Sequence, residues 1–195
     1  MSFRITHSLL NKWEYSFSSE EKFKEFVDYL GRKPTKQTQA MLDGIEFENM
    51  VYANANGALT PEDHRWYAPV TEIGSALKGA VFQVPLGKDV TINGIDFHLF
   101  GILDALRASE IYDVKFSKTY DFGKYRASTQ HPMYFALCPE AYRFTYLVSD
   151  GKDVFRETYY PYNTPPIEIT INRFMRDLER KGLVDLYCKN YKTEF

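Results

Sequence analysis

The residue types best suited to chemistry in this chain are two aspartates and a lysine, Asp104, Asp113 and Lys115, in the segment FGILDALRASEIYDVKFSK. A two-residue hairpin loop at Ala108-Ser109 sets Asp104 opposite Asp113, with Cβ atoms about 4.5–5.5 Å apart. Lys115, two residues on, projects from the same face as Asp113. Two carboxylates at that separation repel, which raises the pKa of one of them unless a cation is shared. Hard divalent ions such as Mg²⁺ take oxygen ligands of this kind, and a lysine beside them can stabilise a phosphate or orient an attacking water. A solvated Asp–Lys pair is the commoner use of such residues. Here Ile102, Leu103, Tyr112, Val114 and Phe116 make both faces of the hairpin largely apolar, and charge on such a strand is costly unless paired or metal-bound.

A third carboxylate comes from a helix expected over residues 38–53, where Met41, Ile45, Glu48 and Tyr52 fall on one face at helical spacing. Glu48 interrupts this apolar stripe, while Asp43, Glu46 and Asn49 lie off it. A helix laid on the sheet can aim Glu48 at the aspartate pair and complete an all-oxygen site; a plain helix-surface glutamate is the alternative. Downstream, KFSKTYDFGKYRASTQHPMY interleaves Lys118, Lys124 and Arg126 with Tyr120, Phe122 and Tyr125, a pattern suited to a nucleic-acid backbone with splayed bases or to a solvated loop. Gln130 and Tyr134, four apart, share one side of a helix.

Taken in order, Gly44-x-x-x-Glu48, the strand FGILD ending at Asp104, IYDVK with Asp113 and Lys115, and Gln130-x-x-x-Tyr134 resemble the PD-(D/E)XK nuclease superfamily. Within it the pattern is similar to the RecB-like and phage lambda-exonuclease-like branch, whose first helix ITHSLLNKWEYSF also resembles. The resemblance spans about residues 8–134. It implies an α/β restriction-endonuclease-like core, a central mixed β-sheet flanked by helices, with Glu48, Asp104, Asp113 and the Val114 backbone carbonyl binding Mg²⁺ or Mn²⁺. It further implies that Lys115 positions or activates water, and that Gln130 and Tyr134 hold the scissile strand. The implied activity is a metal-dependent deoxyribonuclease cutting phosphodiesters to leave a 5′-phosphate, an exonuclease on duplex ends in phage-type recombination or DNA processing. Its DNA contacts are expected at Lys118, Lys124 and Arg126, its partners to be DNA and a single-strand annealing protein, and its assembly a homo-oligomer. An endonuclease of restriction or repair type, a catalytically silent nucleic-acid-binding module and an RNA substrate stay open. The third acid is Asp113 where glutamate is commoner, and Pro132 interrupts a helix the family keeps unbroken. Proline prefers the first turn, so this helix is expected to start at His131, leaving Gln130 just outside it. Relatives with an iron–sulfur cluster use four cysteines; this chain has 2, so no cluster is expected.

The elements that must position these residues are legible in part. Ser18 and Glu21 read as a capping box for a helix carrying Phe23, Phe26, Val27 and Leu30 and ending at Gly31. Strands are expected at 80–86, 90–92, 95–106 and 111–116, separated by turn signals at Gly87-Lys88-Asp89, Asn93-Gly94 and Ala108-Ser109. A helix over 131–138, a hairpin of 142–148 with 154–160 about Asp150-Gly151, and a final helix over 169–181 stopped by Gly182 complete the order. His64, His98 and Asp96 read as surface, core or turn residues, and Cys138 as a packed thiol.

All this fits one nuclease domain over 1–195, its core about 8–137 and its remainder completing the sheet. The chain of 195 residues is 44% hydrophobic with net charge −2, which excludes a disordered chain and a protein that coats nucleic acid through bulk charge. No apolar run is long enough to cross a bilayer, and the opening lacks the apolar core of a secretion signal. With only Cys138 and Cys188, a reduced cytoplasmic setting without a disulfide framework is expected. Aromatic content is high, 15 Tyr and 15 Phe, and most rings are expected in the core.

Overall fold

Thr6, Ser19 and Thr38 each accept a hydrogen bond from the backbone N–H three residues on, at Leu9, Lys22 and Met41. These caps satisfy donors that a helix start leaves orphaned. They begin α1 (His7–Tyr15), α2 (Glu20–Leu30) and α3 (Gln39–Ala55) in the computed structural model, which describes residues 2–193. The cap of α2 is Ser19 rather than the expected Ser18, whose hydroxyl instead donates to the Tyr15 carbonyl. Before α1 lies β1 (Ser2–Ile5), and after α3 comes α4 (Tyr67–Ala76). Then follow β2 (Val81–Ile92), β3 (Ile95–Arg107), β4 (Glu110–Phe116), α5 (Gln130–Leu137), β5 (Arg143–Ser149), β6 (Val154–Tyr159), α6 (Ile167–Arg180), α7 (Val184–Tyr191) and β7 (Lys192–Thr193).

The seven strands form one mixed sheet in the order β6-β5-β4-β3-β1-β7, with β2 paired to β3. β1 lies parallel to β3 and β4 parallel to β5, the other pairings being antiparallel. Helices cover both faces, as a sheet with two apolar faces requires. On one face α1, α2, α5, α6 and α7 pack Leu9, Trp13, Phe26, Met133, Phe174 and Tyr187 against Ile5, Phe97, Leu99, Phe144 and Tyr146. On the other, Phe47 and Val51 of α3, Val70 of α4 and Trp66 just before it cover Ala105, Tyr112, Val114 and Leu147. No described helix is long and apolar enough to cross a membrane.

Several expectations are corrected. Gly87-Lys88-Asp89 is no turn, because β2 runs unbroken from Val81 to Ile92 with Gly87 opposite Phe100. Gly87 serves close approach instead: a Cβ there would lie 2.9 Å from His98 Nε2. The short strands β1 and β7 show too few residues for a two-residue alternation to be read, and α7 follows Gly182 where the chain was expected to end its helices. α5 begins at Gln130, with Pro132 inside its first turn, so Gln130 is helical and not outside. On α3 the buried residues are Asp43, Phe47, Val51 and Ala55, whereas Met41 and Ile45 are exposed. The buried stripe begins with a polar residue, and that misplaced the face in the apolar pattern.

The turns at Asn93-Gly94 and Ala108-Ser109 stand as expected; all four residues have positive φ, the geometry of a primed two-residue hairpin turn. Ala105 pairs with Tyr112 and Arg107 with Glu110, the register that sets Asp104 and Asp113 next in line.

Candidate functional site

β3 is paired along one edge by β2 from Ile95 to Leu106, apart from Asp104, but its other edge is shared: β1 takes residues 96–99 and β4 takes residues 105–107. Residues 100–104 pair with neither β1 nor β4, so the sheet forks there. A fork leaves backbone groups that must find other partners. The Ile102 carbonyl accepts a hydrogen bond from Tyr134 Oη at 2.8 Å, and the Val114 N–H donates to Asp104 Oδ2 at 3.1 Å. Asp104 and Tyr134 thus replace the missing ladder. Gly101 lies under the Tyr134 ring, where a Cβ would come within 2.5 Å of it.

Asp113 is fully buried on β4. Gln130 Nε2 donates to its Oδ1, and Lys115 Nζ lies 2.7 Å from its Oδ2. Beyond that ion pair, Oδ2 receives no aligned hydrogen bond among the described residues. Burial and the Asp113 carboxylate push Asp104 well above the usual carboxylate range, against the pull of Lys115. Burial works against the Lys115 ammonium, but Asp113 and Asp104 outweigh it and raise its pKa above the ordinary lysine value. Lys115 is therefore a donor and a fixed positive charge rather than a base, and 31% of its side chain stays open to the cavity described next.

β1 runs up to the fork and stops, and α1 leaves from it, so Arg4, Thr6, His7 and Ser8 line a cavity of about 410 Å³ together with Asp104, Lys115, Gln130 and Tyr134. Arg32, just past α2, and Glu48 also reach it. Arg4 sits 4.6 Å over the Phe100 ring and Arg32 3.8 Å over Tyr191, and neither forms an ion pair with a described carboxylate. The His7 Nδ1 is buried without a hydrogen-bond partner among the described residues; burial, then the Lys115 charge, hold its pKa down to about 3. The cavity therefore has carboxylates and an ammonium at its floor and two guanidinium groups at its wall. Sequence reasoning missed Arg4, His7 and Arg32. The signal available was Thr6 before His7-Ser8, a cap that aims a helix start at whatever the preceding strand approaches.

Glu48 is half-buried on α3. Its Oε1 accepts from Tyr52 Oη and, at 3.2 Å, from Gln83 Nε2, which is also 3.1 Å from Tyr52 Oη. Glu48 contributes to raising Asp104, so the two carboxylates feel one another. No three His, Cys, Asp or Glu side chains among the described residues converge on a single metal-sized position. Asp104 and Asp113 are the pair able to share a hard cation by donor chemistry, with Glu48 beside them. The buried Asp113 Oδ2, paired with Lys115 but without an aligned hydrogen bond among the described residues, fits such a role.

The basic segment is placed differently from the acids. Lys124 Nζ folds back on Ser117 Oγ and the Thr119 carbonyl at 2.5 and 2.9 Å. Lys118 is exposed, 3.9 Å from Asp43 on α3. Arg126 lines a separate cavity of about 630 Å³ with Phe122, His131 and Tyr159. Tyr120 donates to Glu157, and Tyr125 stacks on Tyr146 at 4.4 Å, while Phe122 is exposed.

No protein-family model matches this chain, and no curated protein matches it either. A search of solved structures finds the crystal structure of SSO0001 at TM-score 0.52 and 16% identity, covering 93% of this chain and 77% of that one. At that identity the likeness shows a shared mixed α/β architecture and nothing about activity.

Proposed function

We propose that this chain is a metal-dependent nuclease of the PD-(D/E)XK type, hydrolysing phosphodiester bonds in DNA as an exonuclease on duplex ends. The observation that carries the reading is the meeting of Asp104, Lys115, Gln130 and Tyr134 around one cavity at the sheet fork, with the buried Asp113 held by Gln130 and Lys115. Two carboxylates forced together, one with a strongly raised pKa, favour a bound cation, and the oxygen donors suit Mg²⁺ or Mn²⁺. Asp104, Asp113, Glu48 and the Val114 carbonyl would hold the ion, which supplies charge neutralisation at the phosphate and a water of lowered pKa. Lys115, kept protonated, orients the attacking water and balances charge developing on the phosphate oxygens. Arg4 and Arg32 draw the substrate strand to the wall as the unpaired cations of the cavity. Gln130 holds Asp113 in place, and Tyr134 keeps the fork open at Ile102. Lys118 and Arg126 are left for duplex outside the cavity, and the exposed Met41, Leu42 and Ile45 of α3 offer a face for a homo-oligomer.

The test compares end-labelled linear duplex with covalently closed circular DNA in Mg²⁺, Mn²⁺ or EDTA. Cation-dependent loss of the linear substrate alone, abolished by Asp113→Ala with DNA binding retained, is the expected result. Cutting of the circle makes the protein an endonuclease. DNA binding without cleavage of either substrate leaves a binding module.

A further inference from the structure

Gln83 stands directly across β2–β3 from Asp104, between the paired positions Phe82–Ala105 and Val84–Leu103. Its φ is +52°, a left-handed conformation that a residue with a Cβ adopts at a cost and that is rare inside a strand. No turn explains it, because β2 continues for nine residues beyond. Both strands exchange faces at this pair. Val84, Leu86 and Val90 pack on the α1–α5 side, but Phe82, two residues earlier, packs under α3. Leu103 lies on the α1–α5 side and Ala105 under α3. Gln83 and Asp104 are the residues at the crossing. Since Gln83 is exposed, its hydrogen bonds compete with water and do not repay the backbone strain by themselves. Strain of this kind persists where surrounding structure imposes it, and it gathers at functional sites.

What the twist achieves is the placement of one amide. Gln83 Nε2 reaches across to α3 and meets Glu48 Oε1 and Tyr52 Oη, while Tyr52 itself donates to the same Glu48 oxygen and its ring meets Phe82, tilted, at 4.7 Å. Oε1 is thereby occupied twice, and Oε2 has no protein donor among the described residues. We propose that Gln83 is a positioning residue: it fixes the Glu48 carboxylate with Oε1 engaged and Oε2 free to join Asp104 at the cation. This rests on the metal-dependent reading above and adds the residue that orders its third carboxylate.

The experiment titrates Mn²⁺ into the full chain by calorimetry, with thermal unfolding of the metal-free protein alongside, for Gln83→Gly, Gln83→Ala, Glu48→Ala and the Gln83→Gly/Glu48→Ala double variant. Gln83→Gly relieves the backbone, so its metal-free unfolding midpoint is expected at or above that of the parent, while its Mn²⁺ affinity falls about 10- to 100-fold, the usual loss when a ligand's orienting partner is removed. Gln83→Ala is expected to lose affinity similarly. In the Glu48→Ala background the Gln83→Gly change is expected to add no further loss, because Gln83 acts through Glu48. Parental affinity in both single Gln83 variants, with Glu48→Ala weakened, overturns the positioning role and leaves the nuclease reading intact. An equal loss with and without Glu48 also overturns it. A parent that takes up no Mn²⁺ overturns the metal reading and this inference with it.

Discussion

Tyr134 does two jobs with one side chain. Its ring covers Gly101 and its hydroxyl satisfies the Ile102 carbonyl at the fork. Tyr134→Phe keeps the ring and leaves that carbonyl without its donor, so stability should fall by about 1–2 kcal/mol, read as a lower urea midpoint. His131, one residue after Gln130, is stacked 4.0 Å from Tyr159 with Nδ1 3.3 Å from Tyr146 Oη. Burial holds its pKa down to about 4 from 6.5. The folded state therefore keeps it neutral while the unfolded chain takes a proton below pH 6.5. Its contribution is fully present above pH 6.5 and is lost as pH falls toward 4, a span worth roughly 3 kcal/mol. His131→Phe should flatten that part of the stability curve, measured by urea unfolding from pH 7 to 4. At this scale Asp104, Asp113 and Lys115 were legible because grouped charges on apolar strands need a reason. His7 and Arg4 were not, because nothing in their own neighbours marks them.

Among the elements, the β3–β4 hairpin was read correctly down to its register, and the reason is local: a two-residue loop admits few geometries. Its residues are nevertheless poor choices, since Ala108 and Ser109 both carry side chains at positive φ. Combining Ala108→Asn with Ser109→Gly should stabilise the protein by about 1 kcal/mol, a higher thermal midpoint with the site unchanged. α3 taught the opposite lesson. Its exposed Met41 and Ile45 look like a core stripe, while its buried one is headed by Asp43, which Gln39 partners at 2.9 Å. Helical periodicity alone does not distinguish an apolar face that packs from one left in solvent. The fork itself was invisible for a related reason: β1 and β4 share one edge of β3, and such sharing is a property of three segments that no single segment encodes.

Over the whole molecule, a net charge of −2 gives no general attraction to a polyanion, so the nucleic-acid binding proposed above would rest on local cations, Arg4 and Arg32 at the cavity among them. Losing one phosphate contact lowers the slope of log affinity against log salt by about 0.7–0.9. Arg32→Gln should produce that change for single-stranded or end-frayed DNA, measured by fluorescence anisotropy over a salt series, while leaving the unfolding midpoint near that of the parent. A sandwich of sheet and helices was legible from the succession of helical and strand patterns, while the mixed pairing of the strands, which depends on contacts remote in sequence, was not. The strands at its β1–β7 edge were not, since each is short and is held only by residues remote in the chain.

That edge has a consequence for how the protein comes into being. β1 precedes every other element, yet the strand it lies against begins at residue 95, and its other neighbour pairs Ser2 with Thr193. On a ribosome β1 emerges long before either partner exists, and contacts of such long sequence separation are slow to close. The segment that carries Arg4 and His7 to the fork thus stays unanchored until residues 96–99 of β3 have been made, about half-way along the chain. Even then the cavity is incomplete, because Lys115, Gln130 and Tyr134 follow β3 in the chain: its cationic side is made first and waits for the groups it faces.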